Sequence, residues 1–243
     1  MKRDAFKLLN SMEHSWWYRG RTSVVRAGLA RANVRKVEDV LDFGAGFGGM
    51  HDMLAGIGAH VDAYEPDPEA TKSVDKRGYR SVFSSEADAF ARPYDLIGLF
   101  DVVEHIEDDH AFLKEARGAL RAGGRLAITV PAFPFLWSAH DVNHHHFRRY
   151  TKKSMCETLR QAGFTIEYAS YWNMTLFIAV AALRLVGKSG ESGLSMPYFL
   201  DAMFLMIIRV ESFLMRFVPL PFGTGLMVIA RRNKDSLTQT ASE

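Results

Sequence analysis

An apolar run that breaks into clustered glycines, with a carboxylate closing the next apolar run, admits few folds. Residues 40–49 read Val-Leu-Asp-Phe-Gly-Ala-Gly-Phe-Gly-Gly. The segment 37–41 predicts a short buried strand, Gly44, Gly46 and Gly48 a tight turn, and residues 50–54 resume at helical spacing. Glycines at such a turn let the backbone pass close to a ligand with no Cβ in the way. Glu65 ends the next apolar run, His60 to Tyr64, where a carboxylate can accept both hydroxyls of a ribose. The combination describes a nucleoside site at the C-terminal edge of a parallel sheet.

The rest of the chain supports that architecture. Strands are predicted near 37–42, 60–64, 80–84, 95–100 and 125–130, with helices near 48–57, 67–77 and 109–121. This alternation argues a parallel sheet covered on both faces. Thr151 caps a helix over 152–162 that Gly163 stops, a strand follows over 164–170, and the last strand covers 225–231. Residues 4–32 are predicted helical, within an N-terminal segment 1–33 that carries a dense aromatic and basic run, Trp16-Trp17-Tyr18-Arg19-Gly20-Arg21. The polar tail, 233–243, is expected to be disordered. At 243 residues, 48% of them apolar, the whole chain reads as one domain with a sizeable core. A net charge of +2 gives no nucleic-acid signal. Cys156 is the single cysteine, so neither an internal disulfide nor a thiolate metal cluster is available. The N-terminus lacks the apolar core of a signal peptide, which makes the cytoplasm the default location.

Two nucleoside cofactors fit the glycine turn. Gly44, Gly46 and Gly49 satisfy G-x-G-x-x-G with an acid about 20 residues on, the dinucleotide pattern. Asp42, two residues before the first glycine, would repel a diphosphate but suits the ammonium and sulfonium of S-adenosylmethionine (SAM). Phe100-Asp101-Val102-Val103-Glu104-His105 follows the strand 95–99 and brings polar groups to the same sheet edge. Residues 120–131 read as helix end, glycine turn and strand. On this combination, over roughly residues 35–170, the chain resembles class I SAM-dependent methyltransferases.

That resemblance implies a Rossmann-like seven-stranded, mostly parallel sheet with helices on both faces. It also implies that Asp42, Gly44 and Gly46 contact the methionine moiety, Glu65 the ribose hydroxyls, and Pro66 and Asp67 border the adenosine. Ser85 and Glu86, with Ser84, occupy the position that meets the adenine amine, and Asp88 is an alternative. Phe100 and Asp101 line the methionine side. Arg19 or Arg21 could pair with the SAM carboxylate. The Trp-Trp-Tyr-Arg-Gly-Arg opening, with Trp17 and Tyr18 on the acceptor side, the Asp-Val-Val-Glu-His segment, the His-Phe-Arg-Arg-Tyr-Thr run and Pro221-Phe222-Gly223 are similar to a bacterial subgroup near the ubiquinone-biosynthesis O-methylases. The expected reaction is O-methylation of a hydroxyl on a hydrophobic or lipid-linked small molecule. Carbon or nitrogen methylation, a catalytically silent SAM-binding scaffold at a membrane, and an NAD-dependent oxidoreductase are the alternatives.

A hydroxyl acceptor needs a general base, and His is the usual candidate near neutral pH. His105 directly follows the fourth strand and faces the transfer site. The loop 137–150 opens on the same edge. In it His140, Asp141 and His146 are expected to serve acid–base or orienting roles, and Arg148 and Arg149 to grip an anionic group. His140 and His144 have the i, i+4 spacing of a metal pair, but Pro131 and Pro134 argue against a helix there, and no metal is assigned.

Members of the class normally join their last two strands, an antiparallel pair, by a short hairpin. Here residues 173–222 intervene. Residues 174–186 are nearly all apolar, 188–193 form a loop, and Pro197 starts a helix over 198–218. At 100° per residue Asp201, Arg209, Ser212 and Arg216 fall within roughly 80° of one another, with Glu211 further round. The first stretch falls short of the ~20 apolar residues of a span and the second is too charged. A lid buried on the domain, an amphipathic pair on a membrane surface (the inner face, for a cytoplasmic protein) and a dimer interface are the three readings. The protein is accordingly expected as a monomer or a homodimer.

Overall fold

The structure, a computed structural model, describes residues 15–185 and 198–233. The expectations for residues 1–14, the 188–193 loop, Pro197 as a helix start and the tail from 234 lie outside the described residues.

Seven strands form one sheet in the order β3-β2-β1-β4-β5-β7-β6. They are β1 (Val37–Phe43), β2 (Gly58–Tyr64), β3 (Val82–Phe83), β4 (Tyr94–Phe100), β5 (Leu120–Pro131), β6 (Phe164–Trp172) and β7 (Gly225–Arg232). β1 pairs in parallel with β2 and β4, and β4 with β5, while β7 runs antiparallel between β5 and β6. This is the seven-stranded, mostly parallel sheet expected from the sequence. The helices are α1 (Trp16–Arg31), α2 (His51–Ala55), α3 (Pro68–Val74), α4 (Glu86–Phe90), α5 (Asp109–Gly118), α6 (Ala139–Asn143), α7 (Lys152–Gln161), α8 (Met174–Leu185) and α9 (Tyr198–Met215).

Side chains alternate across a strand, and the apolar runs of the central strands serve two cores. Leu41, Ile97, Leu99, Leu126 and Ile128 face a layer containing Phe112 and Leu113 of α5 and Leu159 of α7. Their neighbours Val40, Leu96 and Ala127, with Met227 and Ile229, face Val24, Val25 and Leu29 of α1. The N-terminal helix is therefore a wall of the second core.

Several boundaries differ from the sequence reading. The helix expected over 48–57 is only α2, because residues 44–50 are spent on the glycine turn. The helix expected to 121 stops at Gly118, since Leu120 already pairs with Tyr94 of β4 across a register shift. The expected strand 80–84 shrinks to two residues. Contrary to the proline argument, a helix does follow Pro134: Ser138 and Asp141 form a capping box at the start of α6, the S/T-x-x-acid signal that starts helices.

In the insertion, α9 packs along α1 through Leu205, Ile208 and Met215. The Trp16 backbone N–H donates to Asp201 at 2.8 Å. Glu211 lies on the buried side of α9 and caps α8, accepting from the backbone N–H of Met174 and Thr175 and from the Thr175 hydroxyl at 2.6–3.0 Å. The buried side of α9 therefore mixes Glu211 and Ser212 with Leu205, Ile208 and Met215, while large apolar side chains, Phe199, Met206, Val210 and Phe213, with Phe217 just beyond the helix, are exposed. Among the described residues no helix is long and apolar enough to cross a membrane.

Candidate functional site

The parallel strands end together, and their C-terminal ends carry the polar residues singled out above. After Phe43 the backbone turns with positive φ at Gly44 (+73°) and Gly46 (+58°). A Cβ on Gly44 would stand 2.8 Å from Val102, whereas one on Gly46 would meet nothing within 4 Å. Gly46 therefore borders open space on the strand-end side of the turn. Its N–H donates to Glu65 Oε2 at 2.7 Å, and the Asp67 N–H donates to Oε1 at 2.9 Å. Two backbone donors fix the Glu65 carboxylate at the end of β2, with lone pairs left on each oxygen. Burial raises the Glu65 pKa, opposed by those two bonds.

Asp42 is 2% exposed and accepts a 2.6 Å hydrogen bond from the Tyr79 hydroxyl. Burial pushes its pKa up to about 6, against the pull of Tyr79, Arg21 and His51. A carboxylate held in that state favours a cationic neighbour. Phe100 is buried at the end of β4. Asp101 next to it has φ +59°, a conformation that costs a non-glycine residue free energy. It is clamped by Arg21 Nη1 at 2.6 Å and by the Thr129 hydroxyl at 3.0 Å.

The arginine that reaches this edge is thus Arg21, while Arg19 is exposed on the far side of α1. Trp17 packs on Trp172 with ring centres 4.6 Å apart, and Tyr18 lies under the Arg21 guanidinium at 4.7 Å. Pro66 is exposed. Asp67 caps α3, accepting from Glu69 and Ala70 N–H. Ser85 likewise caps α4 through the Asp88 N–H, so its hydroxyl has a structural task beside any contact with a base. The Glu86 carboxyl is raised by burial and by Glu115.

The histidine cluster expected on the acceptor side is built from the turn Val103–His105 and the loop 132–150. The Phe147 N–H donates to the Glu104 carbonyl at 2.8 Å and stitches the two together. Asp141 is fully buried and receives Arg149 Nε at 2.7 Å and His146 Nδ1 at 2.9 Å. Burial works to raise its pKa, but the bonds from His146 and Arg149 prevail and hold the carboxyl well below the usual range. Arg149 also donates to the Ala132 carbonyl, and Arg148 to Glu107 and Asp109. Both arginines are therefore occupied within the fold.

Asp141 orients His146, whose ring meets that of His105 edge-on at 4.6 Å. His140 and His144 lie 4.2 Å apart on and just beyond α6. The pKa values of His105 and His140 are lowered to about 4, by burial first and then by neighbouring imidazoles, although both keep solvent-exposed edges. At the start of the same loop Phe133, itself at φ +59°, stacks on Tyr171 at 4.7 Å and touches Phe135 and Phe177, and Phe222 joins Phe177. A surface hollow of about 340 Å³ opens alongside, lined by Pro134, Trp137, Phe147, Arg148 and Arg149.

Sequence reasoning passed over Glu104, Tyr79 and Thr129. Glu104 sat in a quoted motif, but nothing local in the sequence says that it is buried. Tyr79 lies far in the chain from Asp42, and only the fold joins them.

A family model described as a methyltransferase domain matches residues 17–169, from the aromatic start of α1 to the middle of β6. The chain belongs to this methyltransferase family. Curated relatives include a probable S-adenosylmethionine-dependent methyltransferase of Mycolicibacterium smegmatis, 29% identical over 64% of this chain and 62% of that protein. A ubiquinone biosynthesis O-methyltransferase of Parvibaculum lavamentivorans is 30% identical over 47% of this chain and 49% of its own length. The chain thus spans less than two thirds of the length of either of these relatives. Among solved structures, the N-methyltransferase NodS of Bradyrhizobium japonicum in complex with S-adenosyl-L-homocysteine superposes with a TM-score of 0.60 at 15% identity, covering 92% of this chain and 91% of that one. That likeness extends to the methyltransferase fold alone. The matched residues contain Asp42, Glu65, Arg21, Asp101 and the histidine loop, whereas α8, α9 and β7 lie beyond them.

Proposed function

We propose that the protein binds SAM at the strand ends and methylates a hydroxyl of a hydrophobic small molecule. The observation that carries the donor half is the convergence of Asp42, the open face of Gly46 and the Glu65 carboxylate on one sheet edge, a cation acceptor and a diol acceptor one strand apart. Asp42 is suited to the ammonium and sulfonium, and Glu65 to the ribose hydroxyls. Methyl transfer is an in-line displacement. The acceptor oxygen bonds to the methyl carbon as the carbon–sulfur bond breaks, the sulfonium becomes a neutral thioether, and the hydroxyl proton passes to an imidazole of the loop. Alignment of the two reactants supplies much of the rate.

The acceptor half rests on the aromatic wall of Phe133, Tyr171, Phe177 and Phe222, which the histidine-bearing loop joins through Phe133. Such a wall favours an apolar body, with the imidazoles facing its polar end. On the outer side of α9, Phe199, Met203, Met206, Val210 and Phe213 fall within an arc of about 80° at 100° per residue; these five, and Phe217 in the turn after the helix, are exposed. Arg209 and Arg216, also exposed, flank that arc. An apolar stripe with a basic flank suits an anionic lipid surface, from which a lipid-like acceptor can enter.

Calorimetry with SAM, followed by incubation with methyl-labelled SAM and fractionated lipids and small molecules, tests this reading. Label in an ether of an apolar compound supports it. Label on nitrogen or carbon overturns the O-methylation, and SAM binding without transfer to any fraction leaves a silent scaffold. Flotation on anionic but not zwitterionic vesicles is expected for the membrane part, and a dimer that covers α9 would overturn it.

A further inference from the structure

Asp42 is the buried acid at the end of β1, and one group among the described residues hydrogen-bonds to it: the Tyr79 hydroxyl, which donates to Oδ2 at 2.6 Å. Oδ1 receives no such bond. The tyrosine comes from the segment between α3 and β3, where Gly78 at φ +91° turns the chain back toward the glycine turn. Its ring packs on the core that α1 walls and meets the His51 ring edge-on at 4.5 Å. It also lies against Gly48, where a Cβ would stand 3.2 Å from the ring and 2.9 Å from Arg77. The third glycine of the turn thus makes room for the segment that delivers Tyr79.

The chemistry of the donor matters as much as its position. A buried carboxylate is costly without a partner, but a lysine or arginine in this place would neutralise it and repel an incoming cation. Arg21, which acts on Asp42 from α1, gives its Nη1 to Asp101 at 2.6 Å instead. The other charged or titratable groups facing Asp42 are His51 from α2, Tyr79, and Glu65 at the end of β2. On the remaining side β4 sets uncharged Gly98 opposite it in register. Tyr79 is itself faced by Arg77 and Asp52, and burial with Asp42 pushes its phenol far above the ordinary value, so it stays a neutral donor.

We infer that Tyr79 is a positioning residue of the donor site: by holding Oδ2 it leaves Oδ1 of Asp42 for the cationic end of SAM and keeps the carboxyl ionised to meet it. This rests on the SAM reading of the sheet edge and deepens it, because Tyr79 acts on the cofactor only through Asp42. A hydrogen bond to an ionised carboxyl favours that form, and charge-assisted bonds are the stronger kind. Without the hydroxyl, burial acts on Asp42 with less opposition. The protonated form then persists to higher pH, and a neutral acid no longer attracts the ammonium or sulfonium.

Calorimetry with SAM on the full-length protein, between about pH 5.5 and 8.5, is the test, with each variant set against the wild type at the same pH so that titration of the ligand cancels. Tyr79→Phe keeps the ring and removes the hydroxyl. It should weaken SAM binding about tenfold near pH 6.5 and less than about threefold at pH 8.5, an upward move of the profile's midpoint. In an Asp42→Asn background the same change should have no further effect, as two residues acting through one bond require. Fluorotyrosine in place of every tyrosine makes the phenol a stronger donor without truncating it, and should move the midpoint down. A Tyr79→Phe loss that is equal at all pH values would overturn the inference. So would a loss that persists undiminished beside Asp42→Asn, or a midpoint that fluorotyrosine leaves in place. Thermal melts separate these results from unfolding, and fluorotyrosine decides alone if Tyr79→Phe does not fold. Any of those results with wild-type SAM binding intact leaves the donor site standing, whereas no SAM binding at any pH removes both.

Discussion

Arg21 and Asp101 hold each other at 2.6 Å across the junction of α1 and the end of β4, the arginine largely buried and the carboxylate half-buried. The pair fastens α1 to the sheet edge at a non-glycine residue with positive φ. Arg21→Ala leaves Asp101 without its cation and should cost about 1–3 kcal/mol of stability. It should also weaken SAM binding tenfold or more, because Asp101 is free to leave its place beside Phe100. Thermal melts and calorimetry on the same variant read both. Arg21→Lys, which keeps charge but loses the planar fork, is expected to recover part of each.

Asp42 makes stability fall as pH rises. Its native pKa, about 6, lies above the unfolded carboxyl value, so the native state binds the proton more tightly. Its contribution is full at pH values below the unfolded pKa and is lost as pH climbs to about 6, a change of up to about 3 kcal/mol. Asp42→Asn should flatten that slope in denaturant melts between pH 4 and 7. A cationic ligand reverses the preference, so SAM binding near pH 6 should release a proton, visible as heats that change with the ionisation enthalpy of the buffer. Equal heats in all buffers would show that the cation does not approach Asp42.

The two glycines of the turn separate folding from binding. Gly44→Ala places a methyl against Val102 at a positive φ and should greatly lower soluble yield. Gly46→Ala bears only the left-handed backbone, about 1–2 kcal/mol, and should fold. Its new methyl projects into the open space beside the turn, so SAM affinity should drop at least tenfold. Normal affinity in a folded Gly46→Ala variant would move the cofactor elsewhere.

The glycine turn and its carboxylates were legible in the sequence because their signals are local. An apolar strand, glycines at fixed spacing and an acid after the next strand are each readable within a few residues. The histidine loop was less so. α4 and α6 are single turns, too short to show a 3.6-residue period, so the capping task of Ser85 did not show in the sequence. The capping box of Ser138 and Asp141 was present but lost to the prolines before it. Arg148 and Arg149 read as free cations because their partners, Glu107, Asp109 and Asp141, become partners only after folding. The wheel of α9 showed a polar sector, and only the contact with α1 reveals that Glu211 points inward.

Glu211 accepts three hydrogen bonds at the start of α8 from a position that is 4% exposed. Glu211→Ala should cost about 2–4 kcal/mol, since two backbone donors and a hydroxyl lose their acceptor together. Hydrogen exchange should show the first turn of α8 opening while β1, β4 and β5 stay protected. Glu211→Gln, which keeps one acceptor oxygen, should fall between.

The position of β7 sets an order of events during synthesis. Its partners β5 and β6 emerge from the ribosome well before it, separated in the finished sheet by the width of a strand that does not yet exist. Until Gly225–Arg232 arrives, β5 presents a bare edge and β6 has no neighbour, the condition in which chains stick to one another. The long apolar insertion prolongs that interval. Chains truncated at residue 224 and released should therefore need chaperone protection that the released full-length chain no longer requires.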